Sequence, residues 1–466
     1  MLCSGCVRAG FEPPADGAGG GRDLVDGPRL EAWPAGPGPV HLWSRRFGGP
    51  QADRINGRGV AVDSQGNVYL TGCFQGSASF GGAPLASAGL DDIFLARFTP
   101  AGAHLWSKRF GGVGEDWGYV VTLDSADRVY LSGHFSETVS FGGVALTSLG
   151  ENDGFLASFS SAGLHRWSGA FAGGGDDRGL GLRAGSGRVV VTGYFGSKGV
   201  DLGSGKIPST GGLDLLLASY ALDGQYAWSA GHGGTLSDLG RGIALDGDGN
   251  IYVGGQFASV SLKIGETTLA SQGDTDTVLM RVDPGGRPGW ARAFGGPGNQ
   301  LSRDLVVDGV GRLFVVGCLE QSLTFDSHRL TSQGAMDIYV ASLDSNGAVR
   351  WARRFGGPGE QCAEAVALDG AGNLYVTGYF EQDLILGGRR LTSHGGRDIF
   401  VASFDAAGNH RWSASYGGSG DDTGTGVALS ANGRVHVAGT FVGTMDLGGG
   451  ALTSASADVF LLQLAQ

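Results

Sequence analysis

The stretch "LDGAGNLYVTGYF", Leu368 to Phe380, decides how this chain reads. It opens as a tight turn. The Asp369 carboxylate can accept hydrogen bonds from nearby backbone amides, and Gly372 accepts the positive φ such a turn demands. It closes as a strand, rich in β-branched and aromatic residues and too short for a helix. The pattern occurs seven times. The other copies are "VDSQGNVYLTGCF" (Val62–Phe74), "LDSADRVYLSGHF" (Leu123–Phe135), "RAGSGRVVVTGYF" (Arg183–Phe195), "LDGDGNIYVGGQF" (Leu245–Phe257), "VDGVGRLFVVGCL" (Val307–Leu319) and "LSANGRVHVAGTF" (Leu429–Phe441). Copies three and seven depart at the turn, with Gly185 and Ser430 in place of aspartate.

A period of this length is the signature of a repeat architecture. Tryptophan marks it most cleanly. Trp43, Trp106, Trp167, Trp228, Trp290, Trp351 and Trp412 follow one another at intervals of 61, 62 or 63 residues. Each repeat holds four strand signals: a short run such as "VALD" (Val366–Asp369), the strand quoted above, "DIFVASF" (Asp398–Phe404) and a Trp segment such as "HLWSKRF" (His104–Phe110). Tight turns alternate with long links, one built on "FGGPGE" (Phe355–Glu360) and one on Asp383–Arg397. Four antiparallel strands, repeated seven times, predict an all-β fold: a seven-bladed β-propeller of four-stranded antiparallel blades. The last repeat lacks its own Trp segment, and a surplus one, "HLWSRRF" (His41–Phe47), stands near the start. The N-terminal strand, about residues 39–48, is therefore expected to complete the last blade and close the ring.

These motifs, "D-x-x-G-N-x-Y-V-T-G-x-F" with "F-G-G-x-G-x-D" upstream, resemble the bacterial seven-bladed β-propeller repeat family, SBBP, over about residues 39–466. Blade order is similar to that of NHL-repeat propellers, with the "VALD" strand innermost and the Trp strand outermost. Each Trp after the first also follows a turn glycine by four residues, as Trp412 follows Gly408. This resembles the tryptophan-docking motif of quinoprotein propellers, in which the indole packs between blades. The family resemblance implies an exported or surface-displayed propeller with no defined catalytic activity.

Composition narrows the function. The chain has 466 residues, 41% apolar and 17% charged, with 90 glycines and a net charge of −12. That balance suits a folded domain and offers no basic stripe for nucleic acid. No apolar run reaches the ~18 residues that span a bilayer as a helix. Residues 1–38 read as a Gly/Pro-rich tether ahead of a propeller at 39–466. "MLCSGC" resembles the end of a lipoprotein signal, which makes Cys6 a lipidation candidate beside the plainer reading of an incidental cysteine. Cys73 and Cys318 share a repeat position in non-adjacent copies, beyond the ~7 Å reach of a disulfide, and Cys362 stands alone in a loop. No structural disulfide is expected.

Successive links alternate between the two faces of the disc, so both long links share one face. Loops held on a rigid scaffold carry binding groups, and this face is the candidate. Six residues after each FGG aromatic, or after His232 in the fourth copy, stand Asp53, Asp116, Asp177, Asp238, Gln300, Gln361 and Asp422. Two readings apply. Each side chain caps its own loop, or the five carboxylates hold a hard cation such as Ca²⁺. Trp117 breaks the symmetry of its position, where other copies carry Arg178, Leu239, Leu301, Cys362 and Thr423. With Tyr119 it is the ligand-binding candidate, for stacking on a sugar or anchoring a peptide; the alternative is a local apolar plug. No GxSxG, HExxH or Walker motif occurs. The expected function is non-catalytic binding of a protein or polysaccharide by a monomer in the cell envelope. It needs no cofactor and has no nucleic-acid partner. The alternative is a propeller hydrolase or quinone-dependent dehydrogenase.

Overall fold

The structure, a computed structural model, describes residues 38–196 and 198–466. Among them the regular elements are strands. Hydrogen bonding sorts these into four-strand antiparallel meanders, one for each repeat. In the sixth, Gln361–Leu368, Leu374–Phe380, Asp398–Phe404 and His410–Gly418 pair in chain order. Short pairings then bridge neighbouring meanders, as Ala172 with Asp201 and Gly417 with Asp446. The first strand is longer than the four-residue run expected from sequence. It reaches back to the FGG link, so Cys362 and Trp117 lie in strands and not in loops.

The turn chemistry is the one the sequence implies. Asp369 Oδ1 accepts the amides of Ala371 and Asn373 at 2.9 and 2.8 Å, and Gly372 has φ of +82°. In the seventh copy Ser430 Oγ takes the aspartate's place and accepts the Arg434 amide. In the third copy the turn shortens to Ser186 and Gly187, both at positive φ, between the paired residues Gly185 and Arg188. Such a two-residue turn matches the twist of the strands it joins.

The second and third strands of the meanders are mostly buried where they pair with each other in the sheet, as in Val129–Phe135 and Asp153–Phe159, and are exposed only in the hairpin extensions of the first and last meanders. Both faces of these sheets are covered, so their sequences run apolar without alternating. The cores lie between meanders. Phe314, Val316 and Val340 of the fifth pack with Val376, Phe380 and Phe400 of the sixth. Each first strand packs on the first strand of the next meander, from Val60–Val62 through to Thr423–Leu429, and Thr423–Leu429 packs on Val60–Val62 in turn. The N-terminal strand Val40–Phe47 pairs antiparallel with the C-terminal strand Ala451–Ala465.

Six of the seven repeat tryptophans donate across to the next meander, while the Trp412 indole nitrogen is buried with no partner among the described residues. The Trp43 indole donates to the Pro100 carbonyl at 3.1 Å, Trp106 to Ser161 at 3.3 Å and Trp167 to Leu222 at 3.1 Å. The same bond recurs from Trp228, Trp290 and Trp351. Beneath each of these six indoles lies the turn glycine of the neighbour. A Cβ on Gly224 would stand 2.7 Å from the Trp167 ring. The glycine four residues before one Trp is thus the seat of the preceding Trp.

One expectation is overturned. Cys318 and Cys362 form a disulfide, with Cα atoms 4.9 Å apart. Cys318 sits in the second strand of the fifth meander and Cys362 in the first strand of the sixth. Those strands pack face to face, a proximity that a comparison of equivalent positions does not reveal. Cys73 is free and buried.

Candidate functional site

The first strands carry a recurring defect. Their register with the second strand shifts by one residue between Gly118 and Val120, Gly179 and Gly181, Gly240 and Gly242, Ser302 and Asp304, Ala363 and Ala365, and Gly424 and Gly426. Each shift is a β-bulge, which leaves one residue unpaired and re-aims its side chain. The glycine opposite makes room for it. A Cβ on Gly133 would fall 1.8 Å from the Trp117 carbonyl oxygen. In the first copy two extra residues, Asn56 and Gly57, precede the corresponding Arg58.

The bulge residues Arg58, Tyr119, Leu180, Arg241, Arg303, Glu364 and Thr425 line one cavity of about 270 Å³. Tyr379 and Arg397, at the long-link end of the sixth meander, also line it. The cavity therefore lies toward the long-link ends of the first strands. Seven nearly equivalent strands present seven side chains here: three arginines and one each of tyrosine, leucine, glutamate and threonine.

Three of the arginines are already engaged. Arg58 forms an ion pair with the buried Asp304 and donates to the carbonyls of Leu180 and Arg241 at 3.0 and 2.6 Å. Arg303 Nε lies 3.6 Å from Glu364 Oε1. Arg397 pairs with Glu360 at 3.1 Å and covers the Tyr379 ring, whose hydroxyl donates to Glu360 at 2.6 Å. The Tyr119 hydroxyl accepts from Arg178 at 2.9 Å. Arg241 has no such ion pair among the described residues. Its Nε, like that of Arg303, is shut off from solvent and has no hydrogen-bond partner among them. Burial, then repulsion from Arg303, brings its pKa down to about 10.

The aspartate ring resolves into caps. Asp53, Asp116, Asp238 and Asp422 are buried, and each accepts the amide four residues upstream, from Gly49, Gly112, Gly234 and Gly418, at 2.7 to 2.8 Å. Asp177 takes the Gly196 amide instead, at 2.9 Å. Gln361 repeats the cap with its side-chain oxygen on the Gly357 amide. No group of three or more His, Cys, Asp or Glu suited to a metal occurs among the described residues. The caps nonetheless have company that the sequence reading missed. Asp92, Asp153, Asp214, Asp276, Asp337, Asp398 and Asp458 stand at one position of the third strands, all buried; five open their strands, while Asp92 and Asp458 lie inside the longer strands Leu85–Phe98 and Ala451–Ala465. Asp458 faces Asp53, Asp92 faces Asp116, and Asp153 faces Asp177. Burial first, and the facing carboxylate next among the charges, push Asp53, Asp116 and Asp177 up to about 7. Asp422 is raised to about 6 by burial, with Asp398 opposite. The signal for this second set was present, since aspartate stands at that position in every copy.

Of the two aromatic candidates, Tyr119 lines the cavity and Trp117 is not among its lining residues. The Trp117 ring packs on Tyr119 and His134, with centroids 6.0 and 5.9 Å away. It supports the Tyr119 ring from behind.

Repeated four-strand meanders with inter-unit tryptophan docking define a β-propeller repeat protein. Residues 42–72 match the SBBP β-propeller repeat. The chain is 22% identical over 405 residues to an uncharacterized WD repeat-containing protein of Acanthamoeba polyphaga mimivirus, covering 69% of this chain and 29% of that one. It is 29% identical over 184 residues to the regulatory protein FlaEY of Caulobacter vibrioides, covering 38% and 19%. The chain thus spans less than a third of the length of these curated relatives. Among solved structures, a gluconolactonase from Xanthomonas campestris overlaps 93% of this chain and 98% of its own at 10% identity and a TM-score of 0.35.

Proposed function

We propose that residues 39–466 form a seven-bladed propeller whose last blade is completed by Val40–Phe47, and that it works by binding a protein or polysaccharide at the axial cavity. The ring is supported by the strand pairing at the termini and by the circular succession of first-strand contacts. The core joining Phe47, Val459 and Leu461 to Leu70, Phe74 and Phe94 supports it further.

One observation carries the binding reading: a bulge in each repeat puts seven side chains of differing character around one cavity. They offer charge, hydroxyls and an aromatic face. They include no nucleophile beside a base, and the one carboxylate, Glu364, faces Arg303. The caps already hold backbone amides, so binding here needs no Ca²⁺. A calorimetric titration with Ca²⁺ is expected to give no heat.

The buried disulfide supports an exported location, because such bonds persist in oxidising compartments. Cys6 and residues 1–37 of the tether lie outside the described residues. Lipidation at Cys6 and a monomeric state are proposals for mass spectrometry and light scattering. The central test is a glycan array and envelope-protein pull-down with wild type and Tyr119→Ala. Saturable binding that the variant loses is expected. A partner held equally by both, or turnover of a hydrolase substrate by wild type, overturns the reading.

A further inference from the structure

Arg241 is the cavity arginine with neither an ion pair nor a side-chain hydrogen bond among the described residues. It extends from the fourth bulge into the cavity, and its Nε has neither solvent nor a hydrogen-bond partner among the described residues. The other cavity arginines are committed: Arg58 to Asp304, Arg303 to Glu364, and Arg397 to Glu360. No ion pair is recorded for Arg241 among the described residues. The residue is half-buried, with its Nε closed off and its terminal nitrogens free for a ligand, and a donor shut off from water without a partner is costly.

Taking up the binding reading above, we propose that the axial cavity is a site for a small organic anion, a carboxylate or phosphate on a body of monosaccharide size. Arg241 contacts the charge and Tyr119 flanks the body. A guanidinium presents a planar fork of donors that matches both carboxylate and phosphate. The Arg241–Arg303 repulsion, which lowers the Arg241 pKa, is relieved when an anion sits between them. The volume of about 270 Å³ lies just under the roughly 300–1,000 Å³ of drug-sized sites. That admits one sugar-sized group or the end of a longer chain. Thr425 and Tyr379 line the same space and can hydrogen-bond to its hydroxyls.

The test is calorimetry on the full chain with glucuronate, glucose 6-phosphate, inorganic phosphate and neutral glucose. Wild type is compared with Arg241→Met, Arg241→Lys and Tyr119→Ala, each checked for an unchanged melting curve. The expected result is saturable binding of glucuronate or glucose 6-phosphate, weakened about 10- to 100-fold by Arg241→Met, as for loss of a charge-assisted hydrogen bond. Arg241→Lys retains part of it, and glucose binds at least tenfold more weakly. Stronger binding of the carboxylate or of the phosphate assigns the charged group. Inorganic phosphate binding alone, with no preference for either sugar acid, overturns the organic-anion class. Glucose bound as well as glucuronate and lost in Tyr119→Ala overturns the anion but leaves the cavity as a binding site. Anion binding unchanged in both Arg241→Met and Tyr119→Ala overturns the cavity itself. No heat from any probe overturns the inference, while the array decides the wider reading separately.

Discussion

Asp53 and Asp458 are buried carboxyls facing each other across the seam between the first and last meanders, and replacing one with an amide gives a calculable effect. Asp53 is raised from its ordinary 3.8 to about 7, by burial first and by Asp458 next among the charges, with Arg46 offsetting part. Folded protein therefore keeps a proton that unfolded chain releases near pH 4. Between those values the folded state binds more protons, so stability is highest below pH 4 and falls as pH rises toward 7. At about 1.4 kcal/mol for each tenfold change in proton affinity, roughly 3 kcal/mol disappears between pH 5 and pH 8. For a domain of this length an unfolding entropy of roughly 0.9 kcal/mol/K converts that to about 3 °C. Asp53→Asn retains an oxygen for the Gly49 amide and cannot ionise. The chain contains a precedent in Gln361, which caps its loop as an amide. Melting curves of wild type and Asp53→Asn across pH 5 to 8 are the assay. Their difference is expected to change by about 3 °C in favour of the variant at the alkaline end, since contributions from other groups cancel. Parallel curves would refute the shared-proton account, as would the absence of a protonated-carboxyl infrared band that Asp53→Asn removes.

Two further outcomes follow from packing. Reduction of the Cys318–Cys362 bond, or Cys318→Ala with Cys362→Ala, is expected to cost about 4 kcal/mol by the loop-entropy relation for a 44-residue separation, read as a lower denaturant midpoint. A midpoint unchanged by reductant, with both thiols alkylated, contradicts it. Gly133→Ala places a Cβ 1.8 Å from the Trp117 carbonyl, whereas Gly169→Ala meets nothing within 4 Å. The first is expected to abolish soluble expression or lower the melting temperature sharply, and the second to leave it unchanged; equal behaviour of the two contradicts the close-approach reading.

The frame was legible because each part repeats. A turn aspartate, a turn glycine and a tryptophan at fixed spacing need no neighbours to be recognised. What escaped depends on which strands stand face to face. Cys318 and Cys362 occupy different positions of adjacent repeats, so a comparison of like with like passes over them. The bulge residues escaped because the first strand was read as four residues when Gln361–Leu368 is twice that. Tyr119 was noticed only beside Trp117. A usable signal was there: in a chain that repeats itself, the inner-strand position running Arg58, Tyr119, Leu180, Arg241, Arg303, Glu364 and Thr425 conspicuously refuses to. The third-strand aspartates are hard to single out for the opposite reason, since they match in every copy and so look like part of the frame.

The bulge also separates two kinds of change. Its residue takes no part in the ladder, so altering it leaves strand register untouched, although Tyr119 and Leu180 also pack in a core between sheets. Duplicating or exchanging a whole meander would carry its slot intact to another station around the axis. Under the proposed binding reading, preference for a ligand can therefore drift by shuffling modules as well as by point substitution.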